Sequence, residues 1–278
     1  MAKAPAYDEI GYWSEIKLDI VRKYAAAYST IISRQTKARF HHIYIDAFAG
    51  AGLHISRTTK GYVKGSPLNA LEVDPPFSEY HFIDLRPQKT ESLRKIVGDR
   101  KNVYIYQGDC NEILLAKIFE RVRYEDFRRG LCFLDPYGLD LKWEVTQTAG
   151  EMKSLEIFLN FPIMDINRNV LRRDPGKVDR REVERLNAYW GDESWREAAY
   201  DSLPLFDEIQ EKASNEAIAQ ALRKRLIEEA RFKYVPNPIP MRNRQNSIVY
   251  YLFFATQNRT GKNIVEQIFE KYGHRRSV

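Results

Sequence analysis

Short apolar runs recur along the first half of the chain: "HIYIDAF" (42–48), "YHFID" (80–84), "VYIYQGD" (103–109), "LCFLD" (131–135) and "LEIFLNF" (155–161). Between them lie the helical candidates "SPLNALEV", "RPQKTESLRKIV", "NEILLAKIFERV" and "WEVTQTAGEMK". Ahead of them, "EIKLDIVRKYAAAYSTIIS" (15–33) puts Ile16, Ile20, Tyr24, Ala27 and Ile31 at helical spacing, which predicts an amphipathic helix docked on a core. Strands alternating with helices predict right-handed crossovers and a parallel sheet covered on both faces.

The pattern changes at Pro162. From there to about Ala230 the chain is charged and helix-rich, with "RNVLRRDPGKVDRREVERLNAYW" and "NEAIAQALRKRLIEEARF" as its strongest helices. Strand chemistry returns in "RFKYVPNPIPM" (231–241) and "NSIVYYLFFAT" (246–256), joined by a short polar loop, and "KNIVEQIFEKYG" closes with a helix. Two strands joined so tightly pair antiparallel. The expected organisation is an α/β domain of residues 1–161 and 231–278, interrupted by a helical insertion over 162–230.

Composition narrows the function classes. A chain of 278 residues that is 44% hydrophobic can bury a full core. No stretch approaches the roughly 20 apolar residues of a membrane span, and the start lacks a signal peptide's apolar segment, so a soluble cytoplasmic protein is expected. Two cysteines, Cys110 and Cys132, cannot form a disulfide framework or a four-cysteine zinc site, and no metal site is expected. The formal net charge of +6 permits a polyanionic partner such as RNA or DNA without requiring one.

Four of the five early strands end at or near an aspartate. In an open α/β sheet, ligands bind beyond the carboxyl ends of the strands, so these acids share one edge. Asp46 precedes Phe48, Gly50 and Gly52, whose glycines let the backbone turn and let a ligand approach. Asp84 is placed to accept ribose hydroxyls. Asp109 is placed to accept from an adenine amino group while the Cys110 N–H faces a ring nitrogen. Taken singly, each acid could be only a helix N-cap; three at successive strand ends point to an adenosine. "GAGLHI" has Ile55 where a dinucleotide fingerprint needs its third glycine, and "TQNRTGKN" fails the phosphate-loop pattern at both ends.

"DAFAGAG" resembles the D-x-F-x-G-x-G motif of class I S-adenosylmethionine-dependent methyltransferases. That resemblance implies a Rossmann-like seven-stranded sheet, mostly parallel with a C-terminal antiparallel hairpin, and S-adenosylmethionine bound by Asp46, Phe48, Gly50, Gly52, Asp84, Asp109 and Cys110. "DPYG" in turn resembles the D-P-P-[YF] motif of enzymes that methylate exocyclic amines of nucleobases, implying that Asp135, Pro136 and Tyr137 present the target. A carboxylate and a peptide carbonyl can accept both amine protons while an aromatic ring stacks on the base. The motif is incomplete, having one proline, and a plain strand–turn–helix junction is the competing reading.

Over most of its length the chain resembles the three-Cys-motif partner proteins, through "KLDIVRKYAAAY", "YIDAFAGAG", "KGSPLNAL", "HFIDLRPQK", "FLDPYG", "LNFPIMD" and "YYLFFATQNRTGKNI". This implies a companion protein bearing three cysteines, and raises the alternative of a non-catalytic methyltransferase-like subunit. The loop "LHISRTTKGYVKG" is expected beside the cofactor, reaching a phosphate through Arg57, Lys60 or Lys64, with Asn160 lining the far wall. Arg172 and Arg173 lead the candidate phosphate contacts of the insertion, where a mixed-charge helix surface is the plainer reading. Arg242 and Arg244 in the terminal hairpin could extend the track. Methylation of a protein or small molecule stays open as a further reading.

Overall fold

The computed structural model describes residues 7–36, 39–171, 178–201 and 211–273. Seven strands form the central sheet: His41–Asp46 (β2), Glu79–Asp84 (β5), Val103–Gln107 (β6), Arg128–Leu134 (β7), Leu155–Phe161 (β8), Ile239–Arg242 (β11) and Ile248–Ala255 (β12). Their spatial order is β11-β12-β8-β7-β2-β5-β6. The pairs from β8 through β6 are parallel, and β12 runs antiparallel to both its neighbours. All the carboxyl ends of the parallel strands therefore lie along one edge.

Side-chain alternation divides the core into two layers. Ile43, Ile45, Ile83, Cys132, Leu134, Ile157 and Leu159 point to one face, and Tyr44, Phe82, Leu131, Phe133 and Phe158 to the other. The second face is covered by Tyr12–Ser33 (α1), Ser66–Leu71 (α2), Pro87–Val97 (α3) and Arg259–Gly273 (α10). On the first lie Cys110–Ile113 (α4), Trp143–Glu151 (α5), Ile163–Asn169 (α6), Arg180–Trp190 (α7), Trp195–Ala199 (α8) and Asn215–Glu228 (α9). Leu186, Tyr189, Trp190, Trp195, Leu222 and Leu226 of the 162–230 stretch are buried in the same layer as the sheet's own Ile43 and Ile45. This stretch thus shares the main core.

Three local outcomes differ from expectation. The strand expected over 231–241 begins only at Ile239, with a lone bridge between Tyr234 and Thr256 before it. Pro236 and Pro238 lack the N–H donors a ladder needs. The helix expected after β6 is α-helical only over Cys110–Ile113 and continues as a π turn at Leu114–Ile118 and a 3₁₀ turn at Phe119–Arg121. The loop after the glycines is a hairpin, Leu53–Ser56 (β3) and Tyr62–Lys64 (β4), to which Glu9–Ile10 (β1) adds a parallel strand. A further two-residue ladder joins Tyr200–Asp201 (β9) and Glu211–Lys212 (β10). No helix among the described residues is long and apolar enough to cross a membrane.

Candidate functional site

At the carboxyl end of β2 the chain turns while still tied to both neighbours: Ala47 N–H donates to the Phe133 carbonyl (3.0 Å) and Ala49 N–H to that of Ile83 (2.8 Å). The turn needs left-handed backbone at Gly50 (φ 64°) and Gly52 (φ 84°), and a Cβ on Gly52 would lie 2.9 Å from Leu93 Cδ1. Asp46 holds the inside of this turn. It is fully buried, one oxygen accepts from Phe48 N–H (3.2 Å), and the other lacks a hydrogen-bond partner. Burial pushes its pKa up to about 7, against the pull of the Ser66 hydroxyl and the Phe48 amide.

Beyond the turn opens a cleft of about 170 Å³ lined by Phe48, Asp84, Lys89, Asp109, Cys110 and Tyr137, among others. Asp84, at the end of β5, accepts from Gly50 N–H (3.0 Å) with one oxygen and from Arg86 N–H (2.8 Å) with the other. A carboxylate has about four acceptor sites, so each oxygen keeps capacity for a hydroxyl. Asp109 is the N-cap of α4, its Oδ1 accepting from Asn111 N–H (2.7 Å) and Asn111 Nδ2 (2.9 Å). These cap bonds, with that of Glu112 N–H, all fall on Oδ1 and none on Oδ2. Burial, reinforced by Asp109, pushes the Cys110 thiol up to about 12, so it remains a thiol at neutral pH.

A second cleft, of about 200 Å³, shares Phe48 and Tyr137 with the first and is lined further by Lys17, His54, Asp135, Pro136, Asn160 and Tyr250. Lys17 Nζ sits 2.5 Å from Asp135, with side-chain exposures of 7% and 23%, and lies 4.7 Å from the Tyr250 ring centroid. Asn160 Nδ2 donates to the Pro136 carbonyl (3.2 Å), while its Oδ1 is buried without a partner. Tyr137 is largely exposed, yet its hydroxyl donates to Asp8 (2.6 Å), which also takes the Lys89 ammonium (2.5 Å). Burial lowers the pKa of His54, against the opposing fields of Asp8 and Asp135.

Asp84, Asp109, Cys110 and Phe48 therefore meet at one cleft, and Asp135, Pro136, Tyr137 and Asn160 at the adjoining one. Lys64 lines neither and pairs with Glu72 (2.5 Å), while Arg57 and Lys60 face Glu9 (3.8 and 3.6 Å). Arg172 and Arg173 lie outside the described residues. In the hairpin loop, Arg242 donates to the Asn246 carbonyl and Arg244 to Thr58. Lys17, Lys89 and His54 line these clefts although no sequence motif marks them, and Asp8 is tied to the clefts through Lys89 and Tyr137. For Lys17 a signal existed: it stands on the buried face of α1 with Ile20, Val21 and Tyr24.

The order of the sheet settles the architecture. It is the class I methyltransferase fold. No protein-family model matches the chain, and no curated protein matches it. Among solved structures, protein LPL1258 from Legionella pneumophila aligns over 92% of this chain and 91% of its own, at 12% identity and a TM-score of 0.47. The structure of yhhF from Escherichia coli, named as a methyltransferase, aligns over 86% of each chain at 13% identity and a TM-score of 0.36. DszA carbon methyltransferase aligns over 87% of this chain and 54% of its own, at 14% identity and a TM-score of 0.44. The fold assignment rests on strand order and direction.

Proposed function

We propose that this protein is an S-adenosylmethionine-dependent methyltransferase acting on an exocyclic amine of a nucleic-acid base. The observation that carries the reading is the pair of adjoining clefts at the carboxyl edge of the sheet, one lined by the Asp84 and Asp109 carboxylates and the other by Asp135 and an unpartnered Asn160 Oδ1. The adenosine half of the cofactor fits the first cleft: Asp84 has acceptor capacity for the ribose, Phe48 offers a ring and Gly50 leaves the approach open. When bound, the cofactor supplies an electrophilic methyl group.

In the second cleft the chain's own residues position the target. The Pro136 carbonyl accepts from Asn160 Nδ2, which leaves Asn160 Oδ1 buried in this cleft without a partner. It would take one amine N–H and Asp135 the other, with the Lys17 ammonium balancing the carboxylate charge. Tyr137, steadied at its hydroxyl by Asp8, stacks on the base. Orientation of the amine supplies most of the rate in this scheme.

Calorimetry with S-adenosylmethionine tests the first step: saturable heat is expected from the wild type, and Asp84→Ala should weaken binding roughly tenfold through lost ribose hydrogen bonds. No heat from the wild type would sink the cofactor assignment. Labelled methyl transfer to total RNA or DNA, abolished by Asp135→Ala and by Asn160→Ala, tests the second.

The Lys17–Asp135 ion pair favours a second reading, in which the chain is a non-catalytic subunit of a three-Cys-motif companion. A carboxylate so held has less freedom to meet a substrate. Cofactor binding without transfer, together with a stable complex with the companion, would select it.

A further inference from the structure

The opposite edge of the sheet, where the parallel strands begin, carries a cleft of about 530 Å³, larger than both clefts at the carboxyl edge. Phe40 enters it just before β2, Arg129 from the start of β7, Lys153 from the residues before β8, and Lys233 and Arg259 from the segments around the end of β12. Among the described residues none of these four cations is in an ion pair. Unpaired cations gathered in a concave site attract an anion.

The wall beside the cations is aromatic. The Arg129 guanidinium lies 3.7 Å from the Tyr124 ring centroid and 5.1 Å from that of Phe40, and Arg129 Nη1 donates to the Tyr124 carbonyl (3.0 Å). Phe127 packs edge-on to Phe40 with ring centroids 5.7 Å apart, and both Tyr124 and Phe127 are half exposed. Phe127 (φ 55°) and Lys153 (φ 58°) hold left-handed backbone, a costly conformation for such side chains that tends to persist where it serves a site. The lining has one acid, Glu156, and its oxygens accept from the Thr256 (2.8 Å) and Tyr24 hydroxyls. Burial raises its pKa to about 7, so part of its charge is quenched at neutral pH.

We propose that this cleft binds a nucleoside phosphate, with the phosphate among Lys153, Lys233 and Arg259 and the base on the stack of Tyr124, Arg129 and Phe40. The ligand is a free mononucleotide or one unit of a single strand of nucleic acid. The cleft shares no lining residue with those at the carboxyl edge, so the proposal stands whether or not the chain transfers a methyl group.

Fluorescence anisotropy with a labelled single-stranded oligothymidylate, and calorimetry with AMP and with inorganic phosphate, test it on the full chain. Saturable binding of the oligonucleotide or AMP is expected, roughly tenfold weaker in the Lys233→Glu/Arg259→Glu variant. Both residues are exposed and in no ion pair among the described residues, so the variant should keep the wild-type circular dichroism spectrum and its affinity for S-adenosylmethionine. Tyr124→Ala should erase the preference for AMP over phosphate. Tight, strongly salt-dependent oligonucleotide binding with weak AMP binding identifies a strand; equal affinities identify a free nucleotide. No saturable binding of either probe, or equal binding by wild type and the charge-reversed variant, overturns the proposal.

Discussion

Lys17 and Asp135 form a pair that is mostly withdrawn from water and joins α1 to the residue just past β7. Removing one member of such a pair leaves a charge without its counter-ion, whereas removing both leaves only a gap. Lys17→Ala should therefore lower stability by about 3 kcal/mol, and Lys17→Ala/Asp135→Ala by less than the sum of the two single changes. Urea denaturation of the four proteins measures this. Strict additivity would mean the two charges do not depend on each other. The same residues show where a sequence stops being legible. The helical repeat through Ile16, Ile20 and Tyr24 found α1, but the buried face is centred on Lys17, Ile20, Val21, Tyr24 and Tyr28, with Ile16 half-buried. A lysine in that stripe has meaning only once Asp135 is placed beside it.

Among the elements, the parallel strands were readable because their apolar runs and terminal acids are local features. The β3–β4 hairpin was not: "LHISRTTKGYVKG" is mostly polar, and its first strand is completed by Glu9–Ile10 from the start of the chain. Nor was the seating of α9 against α5. There Gly150 faces the Ala230 carbonyl so closely that an added Cβ would lie 1.8 Å from that oxygen. Both sides of the contact are constrained, since Ala230 N–H bonds the Arg225 carbonyl and Gly150 O accepts from Gln257 Nε2 (3.1 Å). Gly150→Ala must push the end of α9 off α5 and should destabilise the fold by about 3 kcal/mol, read as a lower urea midpoint. A change below about half a kcal/mol would show that the junction yields freely.

Across the described residues, opposite edges of one sheet carry different chemistry, carboxylates where the parallel strands end and cations outside any ion pair where they begin. The interior also holds carboxyls that resist ionisation. Glu156 and Asp46 are buried with pKa values raised to about 7, so the folded state holds more protons than the unfolded chain between the ordinary carboxylate range and neutrality. Their contribution to stability is complete below pH 4 and declines as pH rises through 7, by up to about 1.4 kcal/mol per pH unit for each group. Asp8 and Glu79, whose pKa values are lowered by their cationic neighbours despite burial, act in the opposite sense at lower pH. Comparing Glu156→Gln with wild type isolates one buried acid: the gap in unfolding free energy should shift in favour of the variant as pH rises from 5 to 8. A gap independent of pH would place the Glu156 pKa in its ordinary range.

By itself the sequence determined the α/β class, the strand ends and their acids, the glycine turn and the closing antiparallel strand, because period, turn chemistry and capping act between residues near one another along the chain. Only the tertiary structure decided what each of those acids meets. Asp46 closes a turn, Asp84 takes two backbone amides, Asp109 caps a helix and Asp135 faces a lysine 118 positions away. The fate of a carboxylate depends on burial and on which charges and donors the fold brings within a few ångströms, and those come from segments that no local pattern connects.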